Sequence, residues 1–348
     1  MTNWPKRDVL PAVGPLEVRP DHVSRVTLQA GMATIPLLAY GGVAPGPVLY
    51  VQALQHGLEL NGVDVMRRLV QTLDPATLSG TLILVPMANT LAARVHMQSF
   101  PYPDRPTQRL VNDMNRRWRE PLAGGPNHVD QVVAALAPII GCADVMIDLH
   151  CHEYLYPSMV LTNMQQPACR ALALAMGFEM ARHGEGTEGM FDKYGREVLD
   201  KPTVTVEMPP LRRVDPRSSA AGYRGVINAM KTLGMLDGEP GLPARTVIFG
   251  FGKGQTTSVM AEHEGFMARY ADGGDEVAAG QVVAEIWSPD DFTVTQEIRA
   301  PFAGFVTSIG RAPQVWGEPE HDFINIGERA VIFSTADEVV YHQGHKAE

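Results

Sequence analysis

Apolar runs of strand length alternate with segments of helical period through the first two thirds of the chain. The run VLYVQAL at residues 48–54 precedes a segment, 62–73, whose apolar residues recur at helical spacing. The alternation continues, with predicted strands at 81–87, 144–149, 159–162 and 203–207 and predicted helices at 129–141, 168–178 and 221–234. Strands separated by helices favour a mostly parallel sheet that is covered on both faces. We therefore predict an α/β domain at residues 1–240.

The pattern changes after residue 240. Residues 246–340 contain only short β-like runs between Gly, Pro and Asp turns. The segment AEHEGF at 261–266 matches APFAGF at 300–305 at a constant offset of 39. This internal repeat indicates two similar β units packed face to face. We predict a β-rich domain at residues 241–348.

Composition excludes several classes of partner. The formal net charge is −10 and no Lys/Arg block is longer than two residues, which argues against a nucleic-acid partner. The three cysteines form no CxxC pair, which indicates a reduced compartment. No apolar run approaches the ~20 residues that span a membrane, and the N-terminus lacks the apolar core of a signal peptide. The expectation is a cytoplasmic protein without a membrane partner.

Two histidines and a glutamate lie at the ends of predicted strands. His56 and Glu59 follow the strand at 48–54, and His150 follows the strand at 144–149. In an open α/β sheet, ligands bind at the carboxyl ends of the strands. Imidazole and carboxylate suit zinc, and a catalytic zinc takes three protein ligands and keeps one position open. The alternative is a surface histidine beside a solvated glutamate.

Two further carboxylates belong to the same group of strand ends. Asp148 shares a strand face with His150, where it could hold the ring of a ligand histidine; the alternative is a plain strand-end aspartate. Glu207 ends the strand TVTVE and is either a solvated terminus or a group displayed into the cleft. In peptide-like hydrolysis, a free carboxylate beside zinc takes a proton from water and gives it to the leaving nitrogen.

Four short motifs occur in the order that a known family has them. They are HGLE at 56–59, NR at 115–116, DLH at 148–150 and TVE at 205–207. With the β-rich C-terminal region, they resemble the succinylglutamate desuccinylase/aspartoacylase family, a branch of the zinc carboxypeptidase-like hydrolases. The resemblance extends from about residue 45 to 330. It implies a zinc-carboxypeptidase-like α/β domain with a mostly parallel mixed sheet flanked by helices, and a small all-β, barrel-sandwich-like C-terminal domain.

The resemblance also implies a role for each matched residue. One Zn²⁺ per chain would be held by Glu59 and the two histidines, and Glu207 would act as general acid/base. Asn115 and Arg116 would grip a substrate carboxylate, because a guanidinium fork matches carboxylate geometry. The alternative for Arg116 is an ion pair with a nearby acid such as Asp113.

The arginine that polarises the scissile carbonyl in this family lies before Asn115. Three arginines in this segment compete for that role, Arg94, Arg105 and Arg109, and we favour Arg109. Leu58 stands where the family usually has an acidic residue, so one charge beside the ligands is missing.

Other features receive structural assignments. Consecutive residues cannot all face one metal, so His152 is assigned to the wall of the site and not to the ligands. The C-terminal repeat is also similar to the barrel-sandwich modules of lipoyl and biotinyl carriers. There is no lysine between Lys253 and Lys346, so a swinging-arm carrier is excluded. The β-rich domain would instead cover the mouth of the site or build a homo-oligomer interface.

The leading functional hypothesis is hydrolysis of the amide bond in a small, anionic N-acyl amino acid or a related N-acylated compound. A short-peptide carboxypeptidase or an esterase could use the same site. From a different class, the chain could be a zinc-binding scaffold or regulator without catalysis, although such a protein has no need of Glu207. The sequence leaves open the acyl group, the amine, the pathway, the metal used in the cell and the oligomeric state.

Overall fold

The computed structural model describes residues 4–9, 12–100, 112–119, 127–311 and 321–342. The helices are α1 (Asn61–Thr72), α2 (Thr90–Arg94), α3 (His128–Cys142), α4 (Pro167–Ala175), α5 (Phe191–Glu197) and α6 (Pro216–Thr232), with 3₁₀ helices η1 (Pro75–Thr77) and η2 (Met114–Arg116). The strands are β1 (Ala12–Val13), β2 (Leu16–Glu17), β3 (His22–Ala30), β4 (Ala33–Gly41), β5 (Ala44–Ala53), β6 (Ser79–Val85), β7 (Val145–His150), β8 (Met159–Thr162), β9 (Met180–His183), β10 (Thr203–Glu207), β11 (Arg245–Phe249), β12 (Thr256–Met260), β13 (Gly265–Arg269), β14 (Glu276–Val277), β15 (Val282–Trp287), β16 (Val294–Arg299), β17 (Gly304–Ile309), β18 (Phe323–Ile324), β19 (Arg329–Ser334) and β20 (Glu338–Tyr341).

A large mixed sheet forms the centre of the molecule. Its strand order is β20-β11-β9-β8-β10-β7-β5-β6-β4-β3. Parallel pairs join β5 to β6 and β7, β7 to β10, β8 to β9, and β9 to β11. Antiparallel pairs join β3 to β4, β4 to β6, β8 to β10, and β11 to β20. The predicted α/β architecture, a mostly parallel sheet flanked by helices, is confirmed.

Helices cover both faces of this sheet because its central strands are apolar on both sides. In β5, Leu49, Val51 and Ala53 pack into a core that includes residues of α1, α4 and α6. Val48 and Tyr50, which alternate with them, pack into a second core that includes residues of α3 and α5. No helix among the described residues is long and apolar enough to cross a membrane.

Residues 256–334, described at 256–311 and 321–334, form a module that we call the β module. It contains two sheets with strand orders β12-β19-β17-β14 and β16-β15-β13-β18. Ile286 and Ile298 from one sheet share a buried core with Val306 and Phe333 from the other. The two sequence repeats lead into β13 and β17, one strand in each sheet, as two units packed face to face require.

The large sheet does not end at residue 240. Strands β11 and β20 both lie beyond that residue, yet they form one edge of the large sheet. The chain leaves this sheet after β11, builds the β module and returns as β20. The division into domains at 1–240 and 241–348 therefore stays a prediction, and it does not coincide with the division between the sheets.

Candidate active site

The carboxyl ends of three neighbouring strands bring the sequence-predicted ligands together. Strand β7 lies between β5 and β10 and is parallel to both, so their carboxyl ends meet at one edge of the sheet. His56 and Glu59 follow β5, and His150 ends β7. Glu207 ends β10 directly opposite His150 in the strand register. This edge is the position at which parallel α/β sheets bind ligands.

One side-chain atom from each of His56, Glu59 and His150 lies within 4.8 Å of the other two, so this cluster could hold a metal ion. Glu59 lies between the imidazoles: its Oε1 is 2.7 Å from Nδ1 of His56, and its Oε2 is 2.8 Å from Nδ1 of His150. All three side chains are buried. The donor set is two imidazole nitrogens and a carboxylate, which suits zinc.

Two further carboxylates contact the imidazoles on the side away from Glu59, one for each ring. Nε2 of His150 is 2.8 Å from Oδ2 of Asp148, so the predicted contact between these residues is present. Nε2 of His56 is 2.9 Å from Oδ1 of Asp113, a contact that the sequence analysis missed. With Nε2 of each ring engaged in this way, Nδ1 is the nitrogen that faces Glu59. Carboxylate partners of this kind orient histidine ligands at metal sites.

Two buried glutamines extend this network and were also missed. Gln55 Nε2 donates to Asp148 Oδ2 at 2.5 Å, and Trp118 Nε1 donates to Gln55 Oε1 at 2.7 Å. Gln52 Nε2 donates to the other oxygen of Asp148 at 3.1 Å. The available signal was position: Gln52 and Gln55 are polar residues at the end of an apolar strand. Their hydrogen bonds fix the Asp148 carboxylate from two directions.

The backbone turns sharply between β5 and the first ligand. Leu54 is buried and adopts a left-handed conformation with φ of 63°, which is costly for a residue with a branched side chain. Gly57 follows, and a Cβ atom there would lie 2.4 Å from the carbonyl oxygens of Ala92 and Met97. Only glycine fits this close approach. The HGLE motif therefore places His56 and Glu59 through a tightly packed turn.

The carboxylates around the imidazoles favour positive charge at this edge of the sheet. Burial disfavours the imidazolium form of His56, but Glu59 and Asp113 outweigh burial and raise the pKa of His56 to about 9. Burial also opposes protonation of His150, yet the nearby carboxylates raise its pKa well above the ordinary value. A cation bound between these groups would satisfy the same excess of negative charge, so the site fits a divalent metal.

Glu207 reaches into the same region and remains unpaired. Its Oε2 is buried and has no hydrogen-bond partner among the residues described. Burial raises the pKa of Glu207, and the largest opposing interaction comes from the imidazole of His152. His152 lies with Nδ1 3.5 Å from Glu153 and with its ring against Tyr156, as expected for a wall residue.

Asn115 and Arg116 lie in η2, close to the ligand cluster through Asp113. The Asn115 backbone N–H donates to Oδ1 of Asp113 at 2.9 Å, and the Asn115 side-chain oxygen accepts from the Phe191 N–H at 2.8 Å. Arg116 Nη1 donates to the carbonyl of Asn115 at 2.7 Å. In the described ranges Arg116 has no ion-pair partner within 4.0 Å, because the Asp113 carboxylate is engaged by His56.

The arginine expected to polarise the scissile carbonyl is not placed. Arg105 and the favoured Arg109 lie outside the described residues. Arg94 ends α2 with its side chain exposed and 3.5 Å from Thr34, and no contact between it and the ligand cluster is present.

The site thus belongs to the class of strand-end sites in α/β sheets whose side chains could hold a metal ion. Residues 45–233 of the 348 match the model of the succinylglutamate desuccinylase/aspartoacylase catalytic domain, and the chain belongs to this family. The family assignment supports a hydrolase that acts on N-acyl amides.

Individual relatives agree with this assignment. The chain is 27% identical over 253 residues to the N-α-acetyl-L-2,4-diaminobutyric acid deacetylase of Halomonas elongata, covering 70% of this chain and 71% of the relative. The product-bound ectoine utilization protein EutE (DoeB) of Ruegeria pomeroyi has a TM-score of 0.69 at 22% identity, with 92% of this chain and 99% of that chain covered. A succinylglutamate desuccinylase of a Silicibacter species also has a TM-score of 0.69, at 21% identity, with coverage of 97% and 100%. At these identities the two structures show a common fold.

Proposed function

We propose that this protein is a zinc-dependent deacylase that hydrolyses the amide bond of a small N-acyl amino acid or a related N-acylated compound. The observation that carries the proposal is the Oε2 atom of Glu207, which is buried and has no hydrogen-bond partner among the described residues, at the same sheet edge as a His–Glu–His cluster whose imidazoles are already oriented by carboxylates. The curated relative that deacetylates an N-acetylated diamino acid supports the N-acyl substrate class.

Zinc at this site would be held by His56, Glu59 and His150. Bound there, it would supply a Lewis acid that polarises the scissile carbonyl and acidifies water. Asp113 and Asp148 would keep both imidazoles in the orientation that the ligands need. A non-catalytic zinc scaffold would not require the additional unpaired carboxylate of Glu207.

Glu207 would move the proton. Burial raises the pKa of Glu207 towards neutral pH. A carboxyl group with such a pKa can accept a proton from water and release it again. The oxygen of water forms the new bond to the acyl carbon, the C–N bond breaks, and Glu207 passes the proton to the leaving nitrogen. The products are a carboxylate and an amine.

Asn115 and Arg116 would bind the anionic end of the substrate. Arg116 lies in η2, three residues after Asp113, and its guanidinium has no ion-pair partner within 4.0 Å among the described residues, so it is available to a carboxylate. Arg109 would support the negative charge that develops on the carbonyl oxygen. This role for Arg109 rests on the family resemblance alone.

The proposal is tested by a screen of N-acetyl, N-succinyl and other N-acyl amino acids against metal-loaded protein, with release of free amine as the measurement. Glu207→Gln keeps the shape of the side chain and should retain zinc while kcat falls by about 10²–10⁴-fold, the usual contribution of general acid/base catalysis. Glu153→Gln is the matched control, since Glu153 is also buried beside His152. Near-normal kcat in zinc-loaded Glu207→Gln, or no amine from any substrate, contradicts the proposal.

A further inference from the structure

The loop that follows His150 connects the candidate active site to the β module. We call residues 151–158 the His150 loop; they contain no helix or strand. Two hydrogen bonds from the β module hold it. Ile309 N–H donates to the carbonyl of Leu155 at 3.1 Å, and Arg329 Nη2 donates to the hydroxyl of Tyr156 at 3.2 Å.

The β module also touches this loop directly along the backbone. A Cβ atom at Gly273 would lie 2.8 Å from the carbonyl oxygen of Leu155 and 2.9 Å from the carbonyl carbon of Tyr156. No larger residue fits between the two backbones. The contact is therefore a close-packed one, through which the position of the β module fixes the position of the loop.

His152 joins the His150 loop to the end of the strand that pairs with Glu207. The Tyr156 ring packs on the His152 ring, with centroids 4.3 Å apart and the planes tilted by 36°. His152 follows His150 by two residues, and His150 pairs with Glu207 where β7 and β10 end, with the Met208 N–H donating to the His150 carbonyl at 3.1 Å. Contacts thus run from Arg329 through Tyr156 to His152, which is the second residue after the strand end that pairs with Glu207.

We propose that Arg329 and Tyr156 are positioning residues, through which the β module holds the His150 loop and the ring of His152 in place at the strand end that carries Glu207. The proposal rests on the proposed role of Glu207. It assigns the β module a direct part in the reaction, because a residue of β19 fixes the wall of the site.

The unfavourable burial of part of the Arg329 guanidinium supports this assignment. Its Nε is buried and has no hydrogen-bond partner among the residues described. Burying part of a guanidinium without a partner is unfavourable, whereas an apolar residue would fill the same space at no such cost. Stability alone does not account for an arginine at this position, and its hydrogen bond to Tyr156 does.

The test uses the full-length, metal-loaded enzyme and the single variants Tyr156→Phe and Arg329→Met, with their combination. Tyr156→Phe keeps the ring on His152 and removes only the hydroxyl, so it remains informative if Arg329→Met fails to fold. The matched control is Arg269→Met. Arg269 also belongs to the β module and lies 5.1 Å from the ring of Tyr154 in the same loop, but Tyr154 is 45% exposed.

Each single variant should lower kcat on an N-acyl amine by about 10-fold with little change in KM, because small displacements of catalytic groups are costly. The double variant should be no worse than the worse single variant, since both remove one contact. The loss should shrink on the matching aryl ester, whose leaving group needs no proton. Loss of folded protein would instead lower both rates equally. Arg269→Met should stay within about twofold of wild type.

Equal losses on amide and ester, additive losses in the double variant, or wild-type rates in both single variants would overturn the proposal. Glu207→Gln measured in parallel separates it from the proposed function. If Glu207→Gln is inactive while Arg329→Met and Tyr156→Phe match wild type, only the positioning role fails. If Glu207→Gln is fully active, the proposed function and the positioning role both fail.

Discussion

Two aspartates set the direction of the imidazoles that line the candidate metal site. Asp148 is held by Gln52 and Gln55 and accepts from His150, while Asp113 accepts from His56. A neutral imidazole has one donor nitrogen and one acceptor nitrogen. When a carboxylate engages Nε2 as acceptor, the Nδ1 lone pair is free for a metal, so these aspartates determine which nitrogen binds.

Asp148→Asn should therefore weaken zinc binding by about 10–100-fold without unfolding the protein, because the amide lacks the charge that orients the His150 ring. Zinc affinity is measured by competition with a chelator of known affinity. Asp64→Asn is the control: Asp64 pairs with Arg67 and Arg68 on α1. Equal zinc affinity in Asp148→Asn and wild type would show that the ring is oriented by other contacts.

The proposed role of Arg116, binding of the substrate carboxylate, makes a prediction about substrate preference. Arg116→Lys should lower kcat/KM for N-acyl amino acids by roughly 10–100-fold, because lysine cannot supply a bidentate fork. The corresponding substrate amides should be poor for wild type and little affected by the change. Arg117→Lys is a close control, since Arg117 is already bound to Asp130 by two hydrogen bonds of 2.6 and 2.7 Å. An unchanged acid-to-amide preference in Arg116→Lys would exclude the anchoring role.

Residue type and strand position were enough to predict the cluster of His56, Glu59 and His150, because His150 ends one apolar strand and the other two residues closely follow another. Asp113 could not be found in the same way. It lies 57 residues from His56, and no strand or helical period relates the two positions. Only the folded chain brings η2 to this edge of the sheet, so the sequence indicated Asp113 merely as an alternative partner of Arg116.

At the scale of elements, apolar patterns predicted several strands and helices but not β3, β4 or β9. The predicted strands at 159–162 and 203–207 have the observed bounds of β8 and β10. Helix α6 begins at Pro216, five residues before the predicted start, because its first turn is polar and follows the Asp215 N-cap. Strand β3 was not predicted, since it is an edge strand with mostly exposed or half-buried residues.

Asn61 ties three elements together at the start of α1. Its Nδ2 donates to the carbonyls of Met208 and Pro210 at 2.8 and 3.2 Å, just after β10. Its Oδ1 accepts from the N–H of Asp215 at 2.7 Å, at the start of α6. The residue is fully buried, so water cannot replace these contacts.

Asn61→Asp keeps the size of the side chain but places a carboxylate against two carbonyl oxygens. We expect the free energy of unfolding to fall by about 3 kcal/mol, because the buried oxygen that replaces Nδ2 faces two acceptors and has no donor. Asp215→Ala, which removes only the helix cap, should cost about 1 kcal/mol. Urea unfolding followed by circular dichroism measures both. A smaller loss in Asn61→Asp than in Asp215→Ala would contradict this ranking.

At the scale of the whole molecule, the β module is an insertion between two strands of the large sheet. Sequence patterns predicted that residues 246–340 are β-rich, but they could not show which strands pair with which sheet. Strands β11 and β20 are separated by the whole module and still pair with each other, from Arg245–Tyr341 to Ile248–Glu338. The chain segment that enters the module and the segment that leaves it therefore lie side by side.

Asp337 joins the chain segment that enters the β module to the segment that leaves it. It precedes β20 and accepts hydrogen bonds from the N–H groups of Phe251, Lys253 and Gly254, at 2.9, 2.6 and 2.5 Å, where the chain leaves β11. Partial burial acts to raise the pKa of Asp337, but these backbone donors outweigh it and the pKa is lowered from its ordinary value of 3.8. The folded state thus favours the ionised carboxylate.

A group whose pKa is lowered by folding stabilises the protein above its unfolded pKa, and this contribution is lost as the pH falls through the lower folded pKa. Asp337→Asn should reduce the free energy of unfolding by about 1–2 kcal/mol at neutral pH, a modest value because the carboxylate is partly exposed. The difference between wild type and variant should stay constant from about pH 8 to pH 5 and shrink below about pH 4. Urea unfolding across this range measures it. Asp291→Asn is the control, because the exposed Asp291 accepts from the N–H and hydroxyl of Thr293 within the same turn, and its loss should leave unfolding almost unchanged. If the free energies of unfolding of wild type and Asp337→Asn differ as much at pH 3 as at pH 7, the ionised carboxylate does not join the two chain segments.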